Sequence, residues 1–392
     1  MHVDHPIISA DSHVTEAPNT YVDYIDPAFA DVAPRVVETD DKGDVYVIPG
    51  MPRTIPMGLV AAAGRTADEL NLRARYGDLH RSGYDARYRI ADQDRDGVSA
   101  EVIYPSVGMV LCNHPDFAFK KAAMDAYNRW IADYCSIDPA RLLAVGQSAL
   151  RSPEEGITDL EVMKAMGLRG VMMPGDPQVE DYDSPVYDEF WEACVEVGLV
   201  PSFHIFTSSS DDLNRARSRG PKMNSFLGNI RGNQDIMGMF VLGGVFERHP
   251  RLKIVCVEAD AGWAPHFMYR MDHAYERHRG WLTASVSTTP SEYFREHIYL
   301  TFQDDWVAFR SVDQMNWRRL CWANDFPHSD STWPGSQQLL DEHTVHLTAE
   351  QTRAILCDNV AELYGIDVAT LPVGGDALSR ECGATAPQPA RP

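Results

Sequence analysis

Cysteine is sparse in this chain and forms no pattern. Cys112, Cys135, Cys194, Cys256, Cys321, Cys357 and Cys382 are odd in number and scattered, with no Cys-x-x-Cys pair. That leaves no disulfide framework and suits reduced, buried thiols in a cytoplasmic protein. Positive charge is also short. Lys and Arg number 35 against 57 Asp and Glu, giving a net charge of −22 and a pI near 4.9. Nucleic acid and anionic membranes select basic surfaces, so both are expected to be absent as partners. An anionic substrate is not excluded, because a metal or one buried Arg can dominate locally. No apolar run approaches the ~20 residues of a membrane span. The opening Met-His-Val-Asp-His lacks the basic and apolar regions of a secretory signal, so none is expected. No Gly-x-Gly-x-x-Gly follows the first apolar run, and no flavin, haem or iron–sulfur motif is present.

What the chain does have is 44% hydrophobic and 23% charged residues over 392 positions, the make-up of an ordinary globular protein. Ile7 to Ala10 is a short apolar run suited to a doubly buried strand. It ends in Asp11, Ser12 and His13. Side chains two apart on a strand point the same way, so Asp11 and His13 project together from its end, with Glu16 within reach on the loop. Carboxylate beside imidazole suits Zn, Fe or Mn.

Residues 20–89 are irregular, with Pro-rich, Gly-rich and charged pieces and an expected hairpin at 44–55. A stretch this long is expected to cover the mouth of the core or to mediate oligomer contacts. From residue 90 the chain alternates. Strands are expected at 100–105, 142–145, 168–173, 199–206, 252–258, 298–302 and 319–323. Helices are expected at 90–97, 117–137, 153–166, 185–197, 234–248, 263–279, 305–314 and 348–364, the last with Thr348 as N-cap three residues before Gln351. Eight strands alternating with helices imply a parallel sheet, and eight is the number that closes a (β/α)8 TIM barrel. A doubly wound open sheet is the alternative. One domain over 1–370 is expected, with a flexible tail over 371–392.

Active sites of barrels form at the C-terminal strand ends. There the sequence places Asp11 and His13, then His204, then Glu258 and Asp260, then Gln303, Asp304 and Asp305, and finally Asn324, Asp325 and His328. Polar groups recurring at one end of separate strands converge on a ligand. Each also has a plainer reading. His204 can be a hydrogen-bonded core histidine. Glu258 can cap the helix near Trp263, and Asp325 before Phe326-Pro327 can form an Asx-turn. Asp304 and Asp305 are read as caps.

Asp11-Ser-His-Val-Thr-Glu16, His204, Pro250-Arg-Leu-Lys-Ile-Val-Cys-Val-Glu258 with Gly262-Trp263, and Asn324-Asp-Phe-Pro-His-Ser-Asp-Ser-Thr-Trp-Pro334 resemble the amidohydrolase superfamily. The resemblance is to the branch grouped with aminocarboxymuconate-semialdehyde decarboxylase and related metal-dependent hydrolases. It spans most of residues 6–365. It implies a distorted (β/α)8 barrel with Asp11, His13, His204 and Asp325 as the metal set. The decarboxylases of that branch carry a proton-handling His where this chain has Glu258. With Glu258, and with Glu16 or His328, there are donors enough for two ions, and so acidic a set suits Fe or Mn better than Zn. A few superfamily members with such acidic sites resemble oxygen-dependent dinuclear non-haem hydroxylases. The first functional expectation is therefore an O2-dependent hydroxylase acting on a small organic substrate, served by an electron-transfer protein, in a homo- or hetero-oligomer. The alternatives are a metal-dependent hydrolase or non-oxidative decarboxylase of a small carboxylate, with Asp325 or His328 moving the proton, and a non-catalytic paralogous subunit.

Overall fold

The N-terminal apolar run becomes strand β1 (Ile8–His13), every residue of which is buried. Three antiparallel strands follow in the irregular region: β2 (Arg35–Thr39), β3 (Gly43–Val47) and β4 (Ile55–Pro56). The expected hairpin at 44–55 is thus the second half of a three-stranded sheet that begins at Arg35. Seven further strands alternate with helices: β5 (Ala100–Tyr104), β6 (Leu142–Gln147), β7 (Gly170–Met172), β8 (Val200–His204), β9 (Ile254–Val257), β10 (Ile298–Phe302) and β11 (Leu320–Trp322). In this computed structural model, residues 3–208, 220–221, 223–282 and 285–373 are described. Of the expected tail over 371–392, residues 374–392 lie outside them.

Strands β1 and β5–β11 form one parallel sheet in sequence order. The β1 and β11 edges meet where Asp325 N donates to Asp11 O at 3.0 Å and His13 N donates to Phe326 O at 2.7 Å. With a helix after nearly every strand, the result is a (β/α)8 TIM barrel, as the alternation predicts. Its strands read as continuous apolar runs because helices cover their outer faces and packed side chains fill the inside. Among the helices that the sequence reading does not anticipate are Pro290–His297 and Ser336–Thr344; both are short and lie in polar sequence. The expected helix 234–248 is instead Asn224–Leu242 followed by Val245–Arg248. Gly244, with φ +74°, separates them in a left-handed conformation that suits glycine.

The insertion packs on loops that leave the C-terminal strand ends. The Tyr46 and Tyr76 hydroxyls donate to the carbonyls of Ala17 and Glu16. Ala63 N donates to Pro327 O at 3.0 Å, and His114 Nε2 lies 2.8 Å from Pro49 O.

At the closing helix the predicted cap is formed reciprocally. Gln351 N donates to Thr348 Oγ1 at 3.2 Å and Thr348 N donates to Gln351 Oε1 at 3.0 Å. Thr348→Ala removes one half of this box, and urea denaturation should show a loss of about 1 kcal/mol. A change below ~0.2 kcal/mol would mean that tertiary packing alone fixes this helix end.

Candidate metal centre

Five of the residues singled out in the sequence meet at the strand ends, and a sixth stacks against them. The Nε2 atoms of His13 and His204 lie 3.2 Å apart. Around His13 Nε2 stand Asp11 Oδ1 at 3.4 Å, Glu258 Oε2 at 3.3 Å and Asp325 Oδ1 at 3.4 Å. His204 Nε2 lies 3.1 Å from Glu258 Oε2 and 3.7 Å from Asp11 Oδ1. His328 stacks on the His13 ring at 3.8 Å, and its Nδ1 is 3.0 Å from Asp325 Oδ1. Two overlapping groups could each hold an ion: Asp11, His13, His204 and Glu258, and His13, Glu258, Asp325 and His328.

Local chemistry prepares these atoms as donors. His13 Nδ1 faces Pro105 O at 3.0 Å and His204 Nδ1 faces Ile205 O at 3.0 Å. A carbonyl can only accept, so in the neutral imidazole the proton sits on Nδ1 and the Nε2 lone pair is left bare. Asp11 Oδ1 and Oδ2, Asp325 Oδ1 and Oδ2, and Glu258 Oε2 are buried without a hydrogen-bond partner. Buried carboxylate oxygens left this way are costly unless a cation meets them. Glu258 and Asp325 also take positive φ values of +57° and +53°, a strained conformation of order 1–3 kcal/mol each that aims their side chains inward.

Charge tells the same story. Burial works against protonation of His204, but the Glu258 and Asp11 carboxylates outweigh it and raise its pKa to about 10. His13 is raised in the same way, against burial, by Asp11 and Glu258. Burial and the neighbouring charges of Glu258 and Asp11 push Asp325 far upward. Burial, then His13, holds His328 well below the usual histidine range.

The plainer readings of Asp325 and Glu258 find no support in the geometry, whereas His204 is both buried and hydrogen-bonded, as a core histidine would be. Asp325, with neither oxygen hydrogen-bonded, forms no Asx-turn. The N–H groups of Ala261 and Gly262 before the 264–278 helix are taken by Asp305 Oδ2 at 2.9 and 2.6 Å, not by Glu258. Asp305 also caps the helix after it through Ala308 N. Asp304 instead pairs with His343 at 3.0 Å.

Glu16 stands apart from the group. Its oxygens accept from Ser106 N, Val107 N and Gly108 N at 3.0–3.1 Å, so they anchor the loop after β5. Position in the sequence suggested a ligand; three backbone donors make it a loop anchor. Ser106 itself escaped notice. It follows Pro105 at the end of β5, and its Oγ lies 2.8 Å from His328 Nε2. The end of β5 was the place to look.

Comparison with known proteins adds the family and the fold. The amidohydrolase family model matches residues 78–366. The structure is similar to an amidohydrolase from Mycobacterium avium subsp. paratuberculosis K-10 at 19% identity and a TM-score of 0.77, covering 93% of this chain and 100% of that one. It is similar to 5-carboxyvanillate decarboxylase from Sphingomonas paucimobilis at 19% identity and TM-score 0.65, with 93% and 100% covered. The enzyme of that name from Novosphingobium aromaticivorans DSM 12444, with bound manganese, gives 16% identity and TM-score 0.66 over 92% and 97%.

A divalent ion that takes both Nε2 atoms must displace the proton that His204 otherwise holds up to about pH 10. Loading metal-free protein with Mn2+ near pH 8 in weak buffer should therefore release protons, readable with an indicator dye. The same raised pKa gives metal-free protein a stabilising contribution that is whole below the unfolded value of about 6.5 and fades as pH rises through about 10. Ion uptake without proton release would place the ion elsewhere.

Proposed function

The chain belongs to the amidohydrolase family and is a metal-dependent enzyme, and on that premise we propose that it carries out non-oxidative decarboxylation of a small carboxylate. The observation that carries this reading is the cluster of bare donors, Asp11, His13, His204, Glu258 and Asp325, with His328 held beside it. These five would hold the metal. Mn2+ is the ion favoured, in keeping with the manganese bound by the Novosphingobium relative; Fe suits the same donors and Zn fits them less well. A divalent ion bound there supplies Lewis-acid polarisation of a substrate oxygen.

The remaining work falls to the protein. Replacement of a carboxyl group by hydrogen needs one proton at the carbon that loses CO2. His328 is poised to move it, with Nδ1 against Asp325 and Nε2 on the Ser106 hydroxyl. Residues 20–89, packed on the loops after β1 and β11, would exclude water from the mouth. The decarboxylase relatives act on a carboxylated aromatic, which makes 5-carboxyvanillate and simpler hydroxybenzoates the first probes.

Glu258 favours a second reading. A carboxylate that reaches both His13 and His204 within 3.3 Å adds negative charge that would help hold two Fe or Mn ions, the set an O2-dependent hydroxylase with a separate electron donor would need.

Turnover without oxygen separates the two. A decarboxylase releases CO2 at the same rate in an anaerobic chamber; a hydroxylase stops there and needs a reductant in air. Glu258→Gln keeps the shape and a carbonyl acceptor but loses the charge. It should lower bound metal and cut activity at least ~100-fold if Glu258 is a ligand. Full metal content and full turnover in that variant remove Glu258 from the centre and the hydroxylase reading with it.

A further inference from the structure

The strand ends that bear the donors are joined in pairs by two buried side chains that are not themselves donors. The first is Arg89, fully buried on the helix Ala86–Asp96. Its Nε donates to Glu101 Oε2 at 2.6 Å, its Nη1 to His13 O at 2.7 Å and its Nη2 to Phe326 O at 3.1 Å. One carbonyl belongs to a donor residue, and the other to the residue after Asp325. They lie on β1 and on the loop after β11, the seam where the barrel closes. The second is Asn233, fully buried on the helix Asn224–Leu242. Its Nδ2 donates to Phe203 O at 3.0 Å and to Val257 O at 3.1 Å. These are the residues immediately before His204 and Glu258, on β8 and β9.

We propose that Arg89 and Asn233 are positioning residues that set the spacing of the metal donors by clamping the backbone beside them across two strand pairs. This rests on the reading of Asp11, His13, His204, Glu258 and Asp325 as ligands. Four carbonyls are engaged, and each lies at or next to a donor residue. The guanidinium fork reaches three acceptors on three chain segments at once, and an ammonium has one nitrogen that cannot span them. Glu101 neutralises the buried charge and is itself fixed by Gln93 Nε2 at 2.7 Å, so the fork cannot swing away. Bonds that orient ligands from outside the coordination sphere are commonly worth about 10–100-fold in metal affinity.

A built-in control lies at the other end of the barrel. Arg141 is also buried and also bonds carbonyls, those of Ser99 and Val98 at 2.8 and 3.1 Å, together with Asp94 at 2.7 Å. These precede β5, at the N-terminal strand ends. Arg141→Lys therefore costs stability in the same chemical way without touching the donor spacing.

The experiment is a Mn2+ titration of metal-free protein by calorimetry for Arg89→Lys, Asn233→Ser, Arg141→Lys and His204→Ala, each with its melting temperature measured without metal. Arg89→Lys and Asn233→Ser should bind Mn2+ about 10–100-fold more weakly than wild type. Arg141→Lys should also lower the melting temperature, yet bind within about twofold of wild type. If Arg89→Lys does not fold, Asn233→Ser against Arg141→Lys decides. Wild-type affinity in Asn233→Ser, or an equal loss in Arg141→Lys, overturns the clamp while a weakened His204→Ala leaves the ligand reading standing. Unchanged binding in His204→Ala overturns the ligand reading itself and the clamp with it.

Discussion

Three carboxylates and three imidazoles are packed into one site at the strand ends. That concentration of charge is the constraint from which the rest of the structure follows. Desolvating even one carboxylate costs several kcal/mol. The chain accepts this only because the donors are aimed at one point. The barrel supplies the aim: eight parallel strands end on one face, and side chains leaving those ends converge. Left-handed backbone at Glu258 and Asp325 is the local strain accepted for that convergence.

Around the donors the structure is built to hold them still. His13 and His204 each have one ring nitrogen committed to a carbonyl, which leaves the other free to coordinate. Asn324 Oδ1 accepts from Ser9 and Ser12 at 3.0 and 2.8 Å, tying β1 to the segment that carries Asp325. Glu16 fastens the loop bearing Ser106, and Ser106 meets His328. An assembled donor set with such support is what a metal-dependent enzyme of this family needs.

Much of this was legible in the sequence, for a physical reason. Apolar strands that end in Asp, His or Glu advertise both the barrel and its functional end, so Asp11, His13, His204, Glu258 and Asp325 could be picked out before any coordinates. Glu16 could not be judged, because what decides its role is three N–H groups some ninety residues away. The same holds for Arg89 and Asn233, whose partners are backbone carbonyls that no side-chain pattern reveals. Helix Pro290–His297 was missed because it is eight residues long and polar on much of its surface, and so carries little periodic signal. The choice between decarboxylase and hydroxylase was not legible either. It turns on whether Glu258 serves one ion or bridges two, which residue identity alone does not fix.

The most direct measurement is anomalous diffraction from crystals loaded with Mn2+, collected on both sides of the manganese absorption edge. The account predicts a peak about 2.0–2.3 Å from His13 Nε2 and His204 Nε2 and from oxygens of Asp11, Glu258 or Asp325. A second peak sharing Glu258 would identify a two-ion centre. A manganese peak only outside this cluster, with His13 and His204 still in contact and uncoordinated, would contradict the central claim that these strand ends exist to hold a metal.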